Sequence, residues 1–267
     1  MLEVRAAALE VLQIVDPADK VASSAALARA ESIVDARRTF TEPPGLPGRP
    51  ARPQLVRPGA VAARSVATEQ GRAALLHALA HIEFNAINLA LDIVWRFAGL
   101  PDGFYRDWVG VAGEEAHHFS LLRTRLSELG VGYGDFPAHD GLWEMAARTR
   151  NDLIARLALV PRTLEARGLD ASPAVRAKLA SAGDAKSAQI VDLILRDEIG
   201  HVAIGNRWFK FACARADIDP AVAQETAMQV HGAPILRGPF NLAARRAAGF
   251  TEDELKGFTS ASAAGRP

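Results

Sequence analysis

Cysteine is nearly absent, with Cys213 the only one in 267 residues. A single thiol excludes an internal disulfide framework and any zinc or iron–sulfur site built from several thiolates. A reducing, cytoplasmic setting is the simplest expectation. Net charge is absent too: 31 Lys+Arg balance 31 Asp+Glu, which argues against a globally basic nucleic-acid binder while leaving room for a local basic patch. No uncharged apolar run reaches 18 residues, so no membrane span is expected. The start, MLEVRAAALEVLQIV, carries Glu3 and Glu10 and lacks the apolar region of a secretory signal. Aromatics are scarce, at 6%, while hydrophobic residues reach 49%. The excess is Ala and Leu, which favours helix over sheet.

The expected architecture is all-α, in four stretches. Residues 1–36 read as two modest helices split near Asp16-Pro17. Residues 37–62 form a Pro/Arg-rich arm, with six prolines and five arginines between positions 37 and 60; proline fixes φ and removes donors, so the arm is extended. Residues 63–217 carry four long helical patterns, at about 65–98, 102–129, 141–167 and 184–216. Pro161 should kink the third, and GLDASP (168–173) should interrupt the chain after it. Residues 218–267 form a helical extension with pieces near 219–230 and 251–258, an irregular HGAPILRGPFN between them and a frayed SASAAGRP end. Long helices with short breaks indicate an antiparallel four-helix bundle.

Glu-x-x-His occurs twice, as Glu115-Ala-His-His118 and Glu198-Ile-Gly-His201. Residues i and i+3 share a helix face one turn apart, so each pair can grip one metal ion. The first copy is ambiguous, because Glu114 and His117 have the same spacing. The apolar stripe decides: Phe104, Trp108, Val111, Glu115, His118, Leu122 and Leu126 form one row, whereas the Glu114 row holds Asp107, Thr124 and Glu128. Glu115 and His118 therefore point inward. Glu198 and His201 lie in a similar row with Val191, Ile194, Gly205 and Trp208. Ionised carboxylates on such faces call for a partner cation.

A two-metal bundle takes one further Glu from each of the other two helices. Glu83 is the inward acid of the first helix, in the row Leu76, Ala80, Glu83, Ile87, Ala90 and Val94; Asp92 faces the other way. Glu165 follows Ile154, Ala158 and Pro161 on the third. Each half of the bundle then reads Glu … Glu-x-x-His across a helical hairpin. Four carboxylates and two imidazoles suit iron or manganese better than structural zinc. His77 and His81 form an i,i+4 pair off the Glu83 face and are left out of the ligand set. His117 has no assigned role.

The stretches HIEFNAINLALDIVWRFAGLP (81–101), GEEAHHFSLL (113–122), PRTLEARGLDASP (161–173), RDEIGHVAIGNRWF (196–209) and GPFNLAARRAAGF (238–250) resemble the ferritin-like superfamily of di-iron carboxylate proteins. More narrowly they resemble a bacterial ferritin-like family of unassigned function, and the ligand pattern is also similar to that of the tRNA hydroxylase MiaE family. The resemblance implies a di-iron site at Glu83, Glu115, His118, Glu165, Glu198 and His201. It also implies that Glu114 and Asp197, each just before a ligand Glu, orient histidines of facing helices.

Absences thin the alternatives. One Cys cannot build a rubredoxin centre, and the two tyrosines, Tyr105 and Tyr133, lie near helix ends rather than beside the expected metals. No flavin or nicotinamide fingerprint appears. The expectation is a hydroxylase or monooxygenase that uses two iron ions (or manganese), dioxygen and an external electron-transfer partner. A small-molecule substrate is favoured over tRNA, because no broad basic face accompanies the arm. The rival readings are a non-catalytic metal-binding or iron-handling protein and a helical interaction module. Gly110, Gly113, Gly200 and Gly205 interrupt the motif helices, either to open a pocket or to let helices pack closely.

Overall fold

A computed structural model describes residues 2–60, 64–234 and 236–264. Arm residues 61 and 62, residue 63 of the expected bundle, Ile235 of the irregular segment and the terminal 265–267 lie outside these. The described chain is mostly helical, and its strand content is an isolated bridge and a two-residue parallel ladder, in which Leu2 faces Ser32 and Glu3 faces Ile33. It divides into two compact units, Met1–Glu144 and Met145–Pro267.

In the first unit, β1 (Leu2–Glu3) leads into α1 (Val4–Gln13) and α2 (Pro17–Arg29); β2 (Ser32–Ile33) follows. Asp16 caps α2 through the Ala18 and Asp19 amides, and Pro17 occupies the first turn, where its missing N–H does no harm. The two long helices are α3 (Glu69–Arg96) and α4 (Asp102–Glu128). They pack against each other as a hairpin, with α1 against α3 and α2 against α4. Gly99, at φ 75°, turns the chain between them, where a side chain would be strained. By length and composition α3 could cross a membrane, but 72% of its most apolar window is buried, as in a core helix.

Two buried cations fasten the N-terminal segments to α3. Arg5 is 1% exposed; its guanidinium donates to the Val94 and Trp95 carbonyls at the end of α3 and to those of Asp35, Ala36 and Arg38. These include helix-terminal carbonyls that have no intrahelical partner. Lys20 is fully buried and donates to Leu12 O at 3.1 Å, Gly48 O at 2.7 Å and Asn88 Oδ1 at 2.6 Å. The Pro/Arg arm is thus a strap laid on this unit. Gly48 N also donates to Leu12 O, Arg49 pairs with Asp140 at 2.8 Å, and residues 54–56 exchange backbone hydrogen bonds with Ala138.

Burial, with Arg49 nearby, pushes the Lys20 ammonium down from 10.5 to about 7. Between those values the unfolded chain keeps a proton that the folded chain has released. Stability is therefore expected to rise with pH across that window, by up to about 1.4 kcal/mol per unit. Urea unfolding along a pH series checks this, with Lys20→Met expected to give a flatter profile than the wild type.

In the second unit the structure corrects the sequence reading. The single kinked helix expected at 141–167 is α5 (Gly141–Arg148, which carries the boundary between the units), α6 (Leu153–Leu159) and a π turn at Val160–Glu165. The expected interruption at 168–173 is absent, since α7 (Ala166–Ser181) runs straight through Pro173. The reason is local. Pro173 leaves the Leu169 carbonyl without its helical donor, and Asn241 Nδ2 donates to it instead at 3.2 Å. Next come α8 (Ala185–Ala216), which packs antiparallel against α7, and α9 (Pro220–His231). A short α10 (Leu242–Ala247), not anticipated, is capped by Asn241. Finally α11 (Glu252–Ala264) extends beyond the expected 258.

Candidate metal centre

The rows read from the sequence are the buried faces of their helices. On α3, Leu76, Ala80, Ile87, Ala90 and Val94 are buried around Glu83; on α4, Phe104, Trp108, Val111, Leu122 and Leu126 are buried around Glu115 and His118. Glu114 and His117, the competing register, are exposed.

Within the first unit three donors converge. Glu83, Glu115 and His118 are 4%, 1% and 0% exposed, and each offers a ligand atom within 4.8 Å of the other two. His118 Nδ1 lies 3.3 Å from both Glu83 Oε2 and Glu115 Oε2. Burial disfavours a charged imidazole here. Hydrogen bonds and charge from Glu115 and Glu83 outweigh it and raise His118 to about 11. Two carboxylates in an apolar core thus have a cation between them, which is the electrostatic requirement of a metal site. Two carboxylate oxygens and an imidazole nitrogen are a donor set for a divalent transition metal.

In the second unit α8 presents Glu198 and His201 from its buried face. Both are under 9% exposed, and His201 Nδ1 lies 3.7 Å from Glu198 Oε1. In both motifs the same ring nitrogen, Nδ1, faces the preceding carboxylate. Glu165 ends the π turn and is partly exposed. Its level along the fold is set by a close contact. A Cβ added at Gly205 would lie 2.5 Å from Pro161 Cβ, so α8 and the π turn touch there. One turn forward from Pro161 is Glu165, and one turn back from Gly205 is His201; in an antiparallel pair these steps run the same way, so both residues share a level. Among the described residues, Glu165, Glu198 and His201 do not by themselves bring three ligand atoms within 4.8 Å. Asp197 pairs with Arg196 at 2.9 Å.

The motif glycines divide between the two roles. Gly113 and Gly205 allow close packing, against Ala28 and Pro161, whereas Gly110 and Gly200 face open space. The two that flank His201 should therefore respond oppositely. Gly200→Ala is expected to stabilise by about 1 kcal/mol through helix propensity, and Gly205→Ala to destabilise by about 1–3 kcal/mol through overpacking. Thermal unfolding of the two variants measures both signs.

Sequence reasoning set His77 and His81 aside as non-ligands and did not join them to the asparagines beside them. His77, His81, Asn85 and Asn88 all lie on the buried part of α3, and His77 stacks on Tyr133. Two asparagines on α3 close to that histidine pair were the available signal.

No solved structure matches the chain. An uncharacterized protein of Haemophilus influenzae is 50% identical over 213 residues, covering 77% of this chain and 74% of that relative. Residues 13–256 match the family described as protein of unknown function DUF455, and with nine-tenths of its length inside that match the chain belongs to the DUF455 family.

Proposed function

We propose that the protein is a ferritin-like, four-helix di-iron carboxylate oxidoreductase of the hydroxylase or monooxygenase type. The observation that carries this reading is the buried convergence of Glu83, Glu115 and His118. In the proposal, the second Glu … Glu-x-x-His set, Glu165, Glu198 and His201, completes a six-ligand centre with the first. Glu114 and Asp197 orient the ligating histidines. Iron, or iron with manganese, suits this oxygen-rich set with two imidazoles. When bound there, it would supply dioxygen activation with electrons from a separate donor protein. The chain's own residues would hold the metal away from water in an apolar core and keep both imidazoles in fixed orientations. The substrate is proposed to be a small molecule, since Arg49 of the strap is engaged by Asp140 and lies over the Trp143 ring.

Anaerobic ferrous loading followed by oxygen tests the reading. About two iron or manganese ions per chain are expected from the ligand count, with rapid return to the reduced state when reductant is added. Saturation at one zinc per chain would overturn the two-metal centre. Accumulation of a ferric mineral would favour the rival reading, an iron-handling protein.

A further inference from the structure

On the side of α3 turned away from Glu83, the strap closes over a cavity of about 20 Å³. Its walls include Arg49 from the strap, Phe84, Asn85 and Asn88 from α3, and Tyr133 from the loop after α4. That volume admits one small ion or one to two waters.

Two of the polar groups at this cavity have a hydrogen to spare. Asn88 is 1% exposed; its Oδ1 accepts from Lys20, while its Nδ2 has no acceptor. Asn85 Nδ2 donates both to the His81 carbonyl at 3.1 Å and to His81 Nε2 at 3.0 Å. The first bond fixes the amide orientation, and the second makes Nε2 an acceptor. His81 Nδ1 then carries the ring hydrogen and donates to Tyr133 Oη, 2.9 Å away. The Tyr133 hydroxyl keeps its own hydrogen for another acceptor. No carboxylate lines the cavity, and the Asp140 carboxylate near it is taken up by Arg49. Beside it sits Lys20, fully buried, whose hydrogen-bond partners are two carbonyls and an amide, all neutral. A buried cation with neutral partners and two spare donors lacks one thing, a negative charge.

We propose that this cavity binds a small monovalent anion of halide or formate size, held by Asn88 Nδ2 and the Tyr133 hydroxyl in the positive field of Lys20. The bound anion fastens the strap to α3. Gluconate, at the same charge, is too large to enter.

The test compares thermal unfolding of the full chain in bromide and in gluconate at equal ionic strength, near pH 6. At tenfold excess over its dissociation constant, bromide is expected to raise the wild-type Tm by roughly 3 °C. Asn88→Asp places a carboxylate beside Lys20 and should abolish the difference between the two salts, which also separates specific binding from general salt effects. Tyr133→Phe keeps the ring and should weaken the bromide response. Equal wild-type Tm in both salts, or an undiminished bromide response in Asn88→Asp, would overturn the proposal. If Asn88→Asp does not fold, anomalous scattering from wild-type crystals grown in bromide decides directly. A peak beside Asn88 Nδ2 supports the site, and water density without anomalous signal rejects it.

Discussion

Changing His118 to alanine is expected to strip the protein of most of its bound metal, whereas the same change at His117 should leave metal content as it was. The two residues are neighbours in sequence and differ in direction: His118 is fully buried and sits 3.3 Å from two carboxylates, while His117 is exposed. Outer partners of metal ligands already affect affinity by about 10–100-fold, so loss of a direct imidazole ligand should exceed roughly 100-fold. Elemental analysis after chelation and reloading reads the occupancy. Far-UV circular dichroism guards against misreading an unfolded variant, because the helices rest on apolar rows that the change leaves in place. Comparable metal loss in both variants would mean that the inward register of α4 has been misassigned.

A second large effect is expected far from the metal ligands. Arg245 is fully buried, donates to both carboxylate oxygens of Asp170 at 3.0 and 2.6 Å, and has Phe240, Phe250 and Phe258 around its guanidinium. Asp170 also accepts from the Asn241 amide at 2.9 Å, at the cap of α10. Asp170→Ala leaves a buried cation without its counter-charge, which typically destabilises by about 3–5 kcal/mol. For a chain of this size the Tm should fall by roughly 6–12 °C. Adding Arg245→Met should recover much of the loss, because an apolar side chain fits the aromatic cage without demanding a charge. A double change as unstable as Asp170→Ala alone would show that the cage, rather than the ion pair, fixes α10 and α11.

The long helices were legible because their apolar rows are long. α3, α4 and α8 begin and end within a few residues of the periodic pattern, and Leu122 and Leu126 were enough to choose Glu115 over Glu114. What escaped were features whose partners lie far along the chain. Pro173 announces a break, and only Asn241, 68 positions later, removes it. Arg5, Lys20 and Arg245 look like surface charges in sequence, since nothing local marks a cation as buried. The strap's prolines identified an extended segment, but its docking depends on Gly48 meeting Lys20 and on residues 54–56 meeting Ala138. On the ligand side, spacing nominated all six residues. The structure brings Glu83, Glu115 and His118 together within one unit and pairs Glu198 with His201 in the other. Glu165 sits after a π turn, where stepping by three and four ceases to track direction.

That π turn changes what a deletion would do. A π turn accommodates about one residue more than the α-helical path it replaces, and its loosened hydrogen bonding is taken up by Thr163 Oγ1 and Gln224 Nε2, both donating to the Ala158 carbonyl. Most helices suffer when a residue is removed, because everything beyond it turns by about 100°. Here, loss of one residue between Val160 and Leu164 would let the segment relax into ordinary α-helix. Helix content would survive and the carboxylate of Glu165 would keep its face, because each i→i+5 hydrogen bond spanning the deletion would become an i→i+4 one. The segment is in this sense a length polymorphism waiting to be reversed: two homologous chains that differ by a single residue here can share every helix and present the same ligands.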